Sequence, residues 1–316
     1  MRTKPLFENE RNVIEADRDR TLLSGSDALK MNATYNRTVL GNVSATVNAE
    51  LEGVDTQSAL GRARDGSQRL LRDDETRSAN LNYALNGNLA RWRWSFDGGY
   101  SRIQSMIATD RDSAAGVGRD RAKSVVETIQ TVATANGDLF ALPAGAVTAT
   151  VKAGFELRDI ASASTRAGVL TATDLSREQA NAQLNLDVPV LDDSPVGSLS
   201  ANANGQVEQL SDFGTLTTLG YGFNWEPIAE VRLIGSITHE DGAPSIQQLG
   251  APAHTTPNVR VFDVVTGRTV DVTRIEGGHP DLLADNRRVV EPGRCRREPR
   301  HFVSCPGTPL GVCRSF

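Results

Sequence analysis

Three short clusters carry residue types that could do chemistry. His239-Glu240-Asp241 places an imidazole beside two carboxylates, the donors of a metal site or of acid–base catalysis. Zinc motifs need a second histidine or cysteine at helical or strand spacing. None follows here, so the tripeptide reads as a solvated strand end. Asp212-Phe213-Gly214 copies the magnesium-binding tripeptide of kinases without the glycine-rich and catalytic loops that give it meaning, and reads as a turn. Asp110-Arg111-Asp112 and Arg119-Asp120-Arg121 mix both charges and lack the spacing of a calcium loop. Cys295, Cys305 and Cys313 make an odd set near the C-terminus that fits neither a disulfide framework nor a four-ligand zinc site. No catalytic, cofactor-binding or metal site is expected, and no enzyme. A different polar set stands out: Asn32, Asn36, Asn48, Asn80, Asn82, Asn202, Asn204 and Asn224 all fall on the polar phase of a two-residue alternation.

That alternation defines the elements. From Ala146 to Asp159 the odd positions Val147, Ala149, Val151, Ala153, Phe155 and Leu157 are apolar, and the even positions are polar or glycine. Successive side chains of a strand point to opposite faces, so this run has one apolar and one hydrophilic face. Met31 to Val39 and Val43 to Leu51 repeat the pattern about a turn at Leu40-Gly41-Asn42. Ala79 to Leu85 and Trp92 to Tyr100 repeat it about Asn86-Gly87-Asn88, a strong hairpin signal. Ala180 to Val188, Leu199 to Val207, Leu219 to Trp225 and Val231 to Thr238 complete about ten strands.

The connections alternate. Short turns follow the odd strands; longer polar segments follow the even ones, at 53–77, 105–122, 160–176 and 241–286, read here as loops. Short turns on one side and long loops on the other are the arrangement of transmembrane β-barrels, whose tilted strands need roughly 9–11 residues to cross. Trp92, Trp94, Phe140, Phe223 and Trp225 gather at the short-turn ends, where an interfacial girdle belongs. The fold class expected is all-β, an antiparallel up-and-down transmembrane barrel, present in part.

Composition agrees. With 39% hydrophobic and 23% charged residues in 316, no window approaches a transmembrane helix. The net charge of −5 divides into about +5 on 287–316 and −10 on the rest, and an acidic body argues against nucleic acid as a partner. The first ten residues contain no apolar secretory core, so a barrel reading implies a fragment whose signal and first domain lie elsewhere. Three regions are expected: an irregular start at 1–27, the barrel strands at 28–286, and an Arg/Pro/Cys-rich tail at 287–316 that resembles an out-of-frame reading.

Gly137, Leu139, Phe140, Leu142, Pro143, Ala144 and Gly145, followed by Gly154, Glu156 and Arg158, resemble the mid-barrel hairpin of TonB-dependent outer-membrane receptors. Asn224, Trp225 and Pro227, then Ala243-Pro244-Ser245-Ile246 and Gly277-Gly278-His279-Pro280-Asp281-Leu282, resemble later motifs of that family, with His279 where asparagine is usual. The resemblance covers about 28–286. It implies energised uptake of a nutrient such as an iron chelate, a cobalamin-like cofactor or an oligosaccharide. The partners it implies are outer-membrane lipid, the barrel-assembly machinery and a small-molecule ligand at the outer loops. TonB and a plug domain serve the intact family and are not expected to act on this fragment. The alternatives are a passive pore or structural barrel, or a β-sandwich adhesin.

Overall fold

The computed structural model describes residues 19–296 apart from 40, 64–67, 114, 115 and 229, together with the backbone of 314 and 315. Ten strands follow one another as an antiparallel meander: β1 (Gly25–Val39), β2 (Val43–Arg62), β3 (Arg69–Leu89), β4 (Trp92–Ser113), β5 (Gly116–Leu142), β6 (Gly145–Arg166), β7 (Val169–Ser194), β8 (Gly197–Leu210), β9 (Gly214–Ile228) and β10 (Val231–Gly242). An insertion then carries α1 (Ile246–Gly250) and the hairpin β11 (His254–Asp263) with β12 (Arg268–Glu276). The chain rejoins the sheet as β13 (Asp285–Arg296), antiparallel to β10, and the two-residue β14 (Arg314–Ser315) sits at its far edge. The sheet therefore runs past 286, where the barrel strands were expected to end, and the tail segment begins inside it. The tail's remaining residues, Cys305 and Cys313 among them, lie outside the described residues.

Register makes two faces. Asn48, Asn82, Gly99, Gln130, Glu156 and Gln179 form one cross-strand row of the polar face. One position along, Ala49, Leu81, Tyr100, Ile129 and Leu157 form a row of the apolar face. These apolar side chains are open: Leu81 is 50% exposed, Ile129 52% and Tyr221 49%. A soluble sheet covers such a face, whereas a bilayer takes it as it stands. On β3 the apolar phase runs from Ala79 to Leu89 and stops at Arg77. Residues 79–89, at about 3.3 Å per residue and a tilt of about 45°, cover about 25 Å, the height of a barrel's lipid-facing band.

The strands do not stop where the band does. Segments 53–62 and 69–77 continue β2 and β3, 105–113 and 116–122 continue β4 and β5, and 160–166 and 169–176 continue β6 and β7. Three of the segments expected to be loops are thus largely paired extensions beyond the band, and of the fourth 243–284 leaves the ladder. The reason lies in the phase. Above the row of Arg102, Glu127 and Asp159 the alternation loses its sign: charges such as Glu75 and Lys123 stand outward beside Ala161 and Ala163, while the buried inward positions mix Ala122 and Ile160 with Asp120, Ser162 and Ser164. A pattern search tuned to one apolar phase loses the strands there.

The five short turns lie at the other end. Trp94 lies across Gly87, Trp92 across Gly137 and Phe223 across Gly235, at 2.6–2.7 Å from where a Cβ would stand. Three of the five aromatics expected in the girdle thus lie against glycines of the wall, while Phe140 stands 57% exposed. At the β7–β8 turn Gly197 has φ +90°, and a Cβ there would run into the carbonyl of Glu226. Gly197→Ala is expected to destabilise the protein by about 2 kcal/mol, from the left-handed backbone alone; a urea midpoint matching the parent's would contradict it.

The sheet stays open. β1 pairs only with β2, and β13 only with β10 and β14. β1 and β13 both run toward the short-turn end, so a direct seam between them would be parallel, unlike every other pairing in the sheet.

Candidate functional site

The buried core sits at the loop end of the polar face, where the insertion folds back onto the extended strands. α1 touches β6 and β7, and β11 touches β2, β4 and β5. α1 is one turn long and starts at a reciprocal cap. The Ser245 hydroxyl accepts from the Gln248 amide N–H at 3.2 Å, and the Gln248 side chain accepts from the Ser245 N–H at 2.8 Å, so two end-of-helix donors are satisfied together. The helix that Ala243-Pro244-Ser245-Ile246 begins meets, at its far end, the Gly277-Gly278-His279-Pro280 segment. Gly278 N donates to Ala251 O at 2.8 Å and His279 N to Gln248 O at 2.7 Å. A Cβ on Gly278 would lie 2.6 Å from Leu249 O and Ala251 N, so only glycine permits this approach.

Two buried charges hold the insertion down. Arg177, on β7, binds Asp212 of the β8–β9 turn through Nε–Oδ1 at 2.9 Å and Nη2–Oδ2 at 2.6 Å. Its Nη1 donates to Pro244 O at 2.8 Å, and its guanidinium carbon lies 5.3 Å from the centre of the Phe213 ring. Asp212-Phe213-Gly214 thus serves as the counter-charge and stacking surface of a buried arginine. Asp120, on β5, is 6% exposed and accepts from Arg111 Nε at 3.0 Å, Ala167 N at 3.0 Å and Thr255 Oγ1 at 3.2 Å. Ser162 Oγ donates to Gly250 O at 2.8 Å, and Arg72 Nη1 to Thr256 Oγ1 at 3.1 Å. The mixed-charge segments 110–112 and 119–121 therefore supply anchors for the insertion as well as surface charge.

His239, Glu240 and Asp241 do not converge. They alternate along β10: Glu240 turns to the polar face and binds Arg287 of β13 at 2.7 Å, while Asp241 turns the other way. Among the described residues no three histidine, cysteine or acidic side chains gather as metal ligands. The Asp241 carboxyl is held below its ordinary value, first by the Thr217 hydroxyl at 2.8 Å, then by the Asn286 amide and the Thr217 N–H. A carboxyl with a lowered folded pKa adds stability that is full above its unfolded pKa and disappears as pH falls through the folded one. The stability difference between the parent and Asp241→Asn is therefore expected to be constant above about pH 5 and to shrink in acid as pH falls below the ordinary aspartate value of about 3.9. Urea midpoints across that range check it.

All eight asparagines singled out in the sequence lie on the polar face. Asn48 donates to Thr34 Oγ1 at 2.8 Å and to Asn32 Oδ1 at 3.2 Å, Asn36 donates to Thr46 Oγ1 at 3.1 Å, and Asn80 accepts from Ser101 at 2.7 Å. Asn202 and Asn204 lie over Gly222 and Gly220 of the neighbouring strand, and Asn224 Oδ1 is buried without a protein partner. They form two groups, on β1–β3 and on β8–β9. At the first group a cavity of about 320 Å³, reaching across to β4 and β5, is lined by Thr46, Asn48, Asn82, Asp97 and Gln130. Its amides and hydroxyl suit a neutral polar surface, and Asp97 adds one charge.

No protein-family model and no curated protein matches the sequence. Solved structures do match the fold. A siderophore receptor, PirA of Acinetobacter baumannii, aligns over 87% of this chain and 48% of its own, with 12% identity and a TM-score of 0.55. The RagAB peptide importer in its closed-closed state aligns over 86% and 38%, with 10% identity and the same TM-score. The fold is that of an outer-membrane β-barrel wall. The chain spans less than half the length of each of these neighbours.

Within this wall, α1 and the β11–β12 hairpin were not foreseen as elements. Ser245 and Gln248 at capping-box spacing carried the signal for α1. Val259 and Val261 facing Val272 and Val270 carried it for the hairpin.

Proposed function

We propose that this chain forms part of the wall of an outer-membrane receptor of the TonB-dependent class, which draws a scarce nutrient across the membrane at the expense of energy supplied from the inner side. The observation that carries this reading is the docking of α1, which the 243–246 segment begins, against Gly278 and His279 on the polar face, where α1 and the hairpin crowd the loop end of a wall shaped like those of an uptake receptor and an importer. The ligand would enter past the insertion and meet the asparagine-lined face. The nutrient is an iron chelate, a cobalamin-like cofactor or an oligosaccharide, and coupling to TonB needs the plug that such receptors carry. The strands span the lipid of the outer membrane and would be placed there by the barrel-assembly machinery.

The test is accumulation of labelled nutrients by cells carrying or lacking the gene, with and without a protonophore. The reading expects one nutrient class to be lost with the gene and to fall at least tenfold on uncoupling. Uptake that depends on the gene yet ignores the protonophore would instead establish a passive pore.

A further inference from the structure

At the cavity of about 320 Å³ on the polar face, register sets two rows side by side across β2–β5. The row nearer the short turns is Thr46, Ala84, Asp97 and Val132; the next is Asn48, Asn82, Gly99 and Gln130. Asp97 therefore stands between two apolar side chains, half-buried, and its carboxylate takes one bond from the protein, from the Ser95 hydroxyl at 2.7 Å. Other carboxylates of this face have cations beside them: Glu50 binds Lys30 and Glu156 binds Arg158, both at 2.9 Å. Asp97 has no ion-pair partner among the described residues, and neither lysine nor arginine lines the cavity.

Around the carboxylate the wall offers acceptors. The Asn82 carboxamide lies over Gly99, and neither it nor the Gln130 carboxamide has a hydrogen-bond partner among the described residues. Asn48 directs its N–H groups to Thr34 and Asn32, which leaves its oxygen free. A half-buried carboxylate without a counter-charge attracts a cation, and its surroundings decide which one. Carboxamide oxygens grouped about one carboxylate match the three N–H donors of a primary ammonium, and Ala84 and Val132 give an alkyl stem apolar contact on either side of Asp97. A quaternary ammonium brings the charge without the donors, and an anion is repelled. A calcium ion takes about 6–8 oxygens with several carboxylates among them, more than one aspartate supplies.

We propose that this cavity binds the primary alkylammonium group of a small solute on the polar face, with Asp97 as its counter-charge and Asn48, Asn82 and Gln130 as its acceptors. The site rests on register and charge and is independent of the uptake reading.

Nuclear magnetic resonance of the full chain, folded in a non-ionic detergent with nitrogen-15 in its asparagine and glutamine side chains, tests it. The probe is butylammonium chloride, titrated at constant ionic strength against sodium chloride, and the signals followed are the Asn82 and Gln130 carboxamides, assigned by their loss in Asn82→Ser and Gln130→Met. Butylammonium is expected to shift both signals saturably; tetramethylammonium, butanol and butyrate at the same concentration are expected to leave them nearly unmoved. Asp97→Asn keeps the shape of the side chain and is expected to weaken binding about tenfold, the loss of a hydrogen bond to a charged group. Val132→Lys tethers an ammonium directly opposite Asp97 and is expected to abolish binding; it serves where Asp97→Asn loses its β-sheet circular dichroism. Absence of a saturable shift in the parent, equal shifts from tetramethylammonium, butanol or butyrate, or undiminished binding in a folded Asp97→Asn or Val132→Lys variant would each overturn the site.

Discussion

Arg177→Ala is expected to lower the stability of the loop end by about 3 kcal/mol and to release the insertion while the ten-stranded meander persists. The variant deletes every bond from the guanidinium to Asp212 and the bond to Pro244 O, and leaves a carboxylate and a carbonyl without their donor. Breaking a buried pair by removing one partner costs about 3–5 kcal/mol. The lower figure applies because the Asp212 side chain keeps 31% of its exposure and water recovers part of the loss. The loss should be local, since Pro244 is where the insertion leaves β10. Limited proteolysis is the measurement. Cleavage within 243–284 should accelerate at least tenfold, with the sheet's circular dichroism unchanged. Phe213→Ala, which removes only the ring beneath the guanidinium, should cost about 0.5–1 kcal/mol. Equal proteolysis of the parent and Arg177→Ala would mean that the apolar contacts of Ile246 and Leu249 hold the insertion without the arginine.

Leu85→Arg is expected to destabilise the protein in bilayers by about 3 kcal/mol, and Asn86→Arg by less than about 1 kcal/mol. The two are adjacent on β3 and face opposite ways. Leu85 stands among Ala45 and Phe96 near the middle of the lipid band, and Asn86 beside Ser44 and Ser95 on the polar face. A charge at the bilayer midplane on a barrel's outer face costs about 2–4 kcal/mol, and a charge on the inner face very little. The same pair separates this fold from a soluble sandwich, in which both faces of a central strand are either packed or in water. Guanidine titrations of protein folded into lipid vesicles give the two values, and equal costs would contradict the orientation of the wall.

The ten meander strands and their turns were legible because lipid on one side and a wet surface on the other impose a period of two with constant sign. Tyr35, Val47, Tyr83 and Phe155 announce themselves in that way. The extensions were hidden by the loss of a constant sign above Arg102 and Glu127, where Ala161 and Ala163 stay outward among charges and buried Ser162 and Asp120 turn inward. β13 was missed because its arginines look like tail until Arg287 is seen against Glu240 of β10. The asparagine set was readable as a face, and its division into two groups was not, because that depends on which strands the register brings together. Arg177 gave no local signal, and Asp120 showed only as one charge of the Arg119-Asp120-Arg121 cluster. Their importance comes from Pro244 and Thr255, distant in sequence, and a buried ion pair is a property of two strands and a loop meeting, never of one segment.

The central claim is that one face of this sheet meets lipid over about 25 Å and the other does not. A nitroxide scan of β3 from residue 73 to 89, on the chain folded into lipid vesicles, tests it most directly. The account predicts that oxygen, which concentrates in the bilayer, reaches the odd positions from 79 to 89, that a water-soluble nickel complex reaches the even ones, and that this contrast ends at Arg77. Nickel access at both odd and even positions within 79–89, or access by neither reagent, would contradict it and return the chain to a water-soluble β fold.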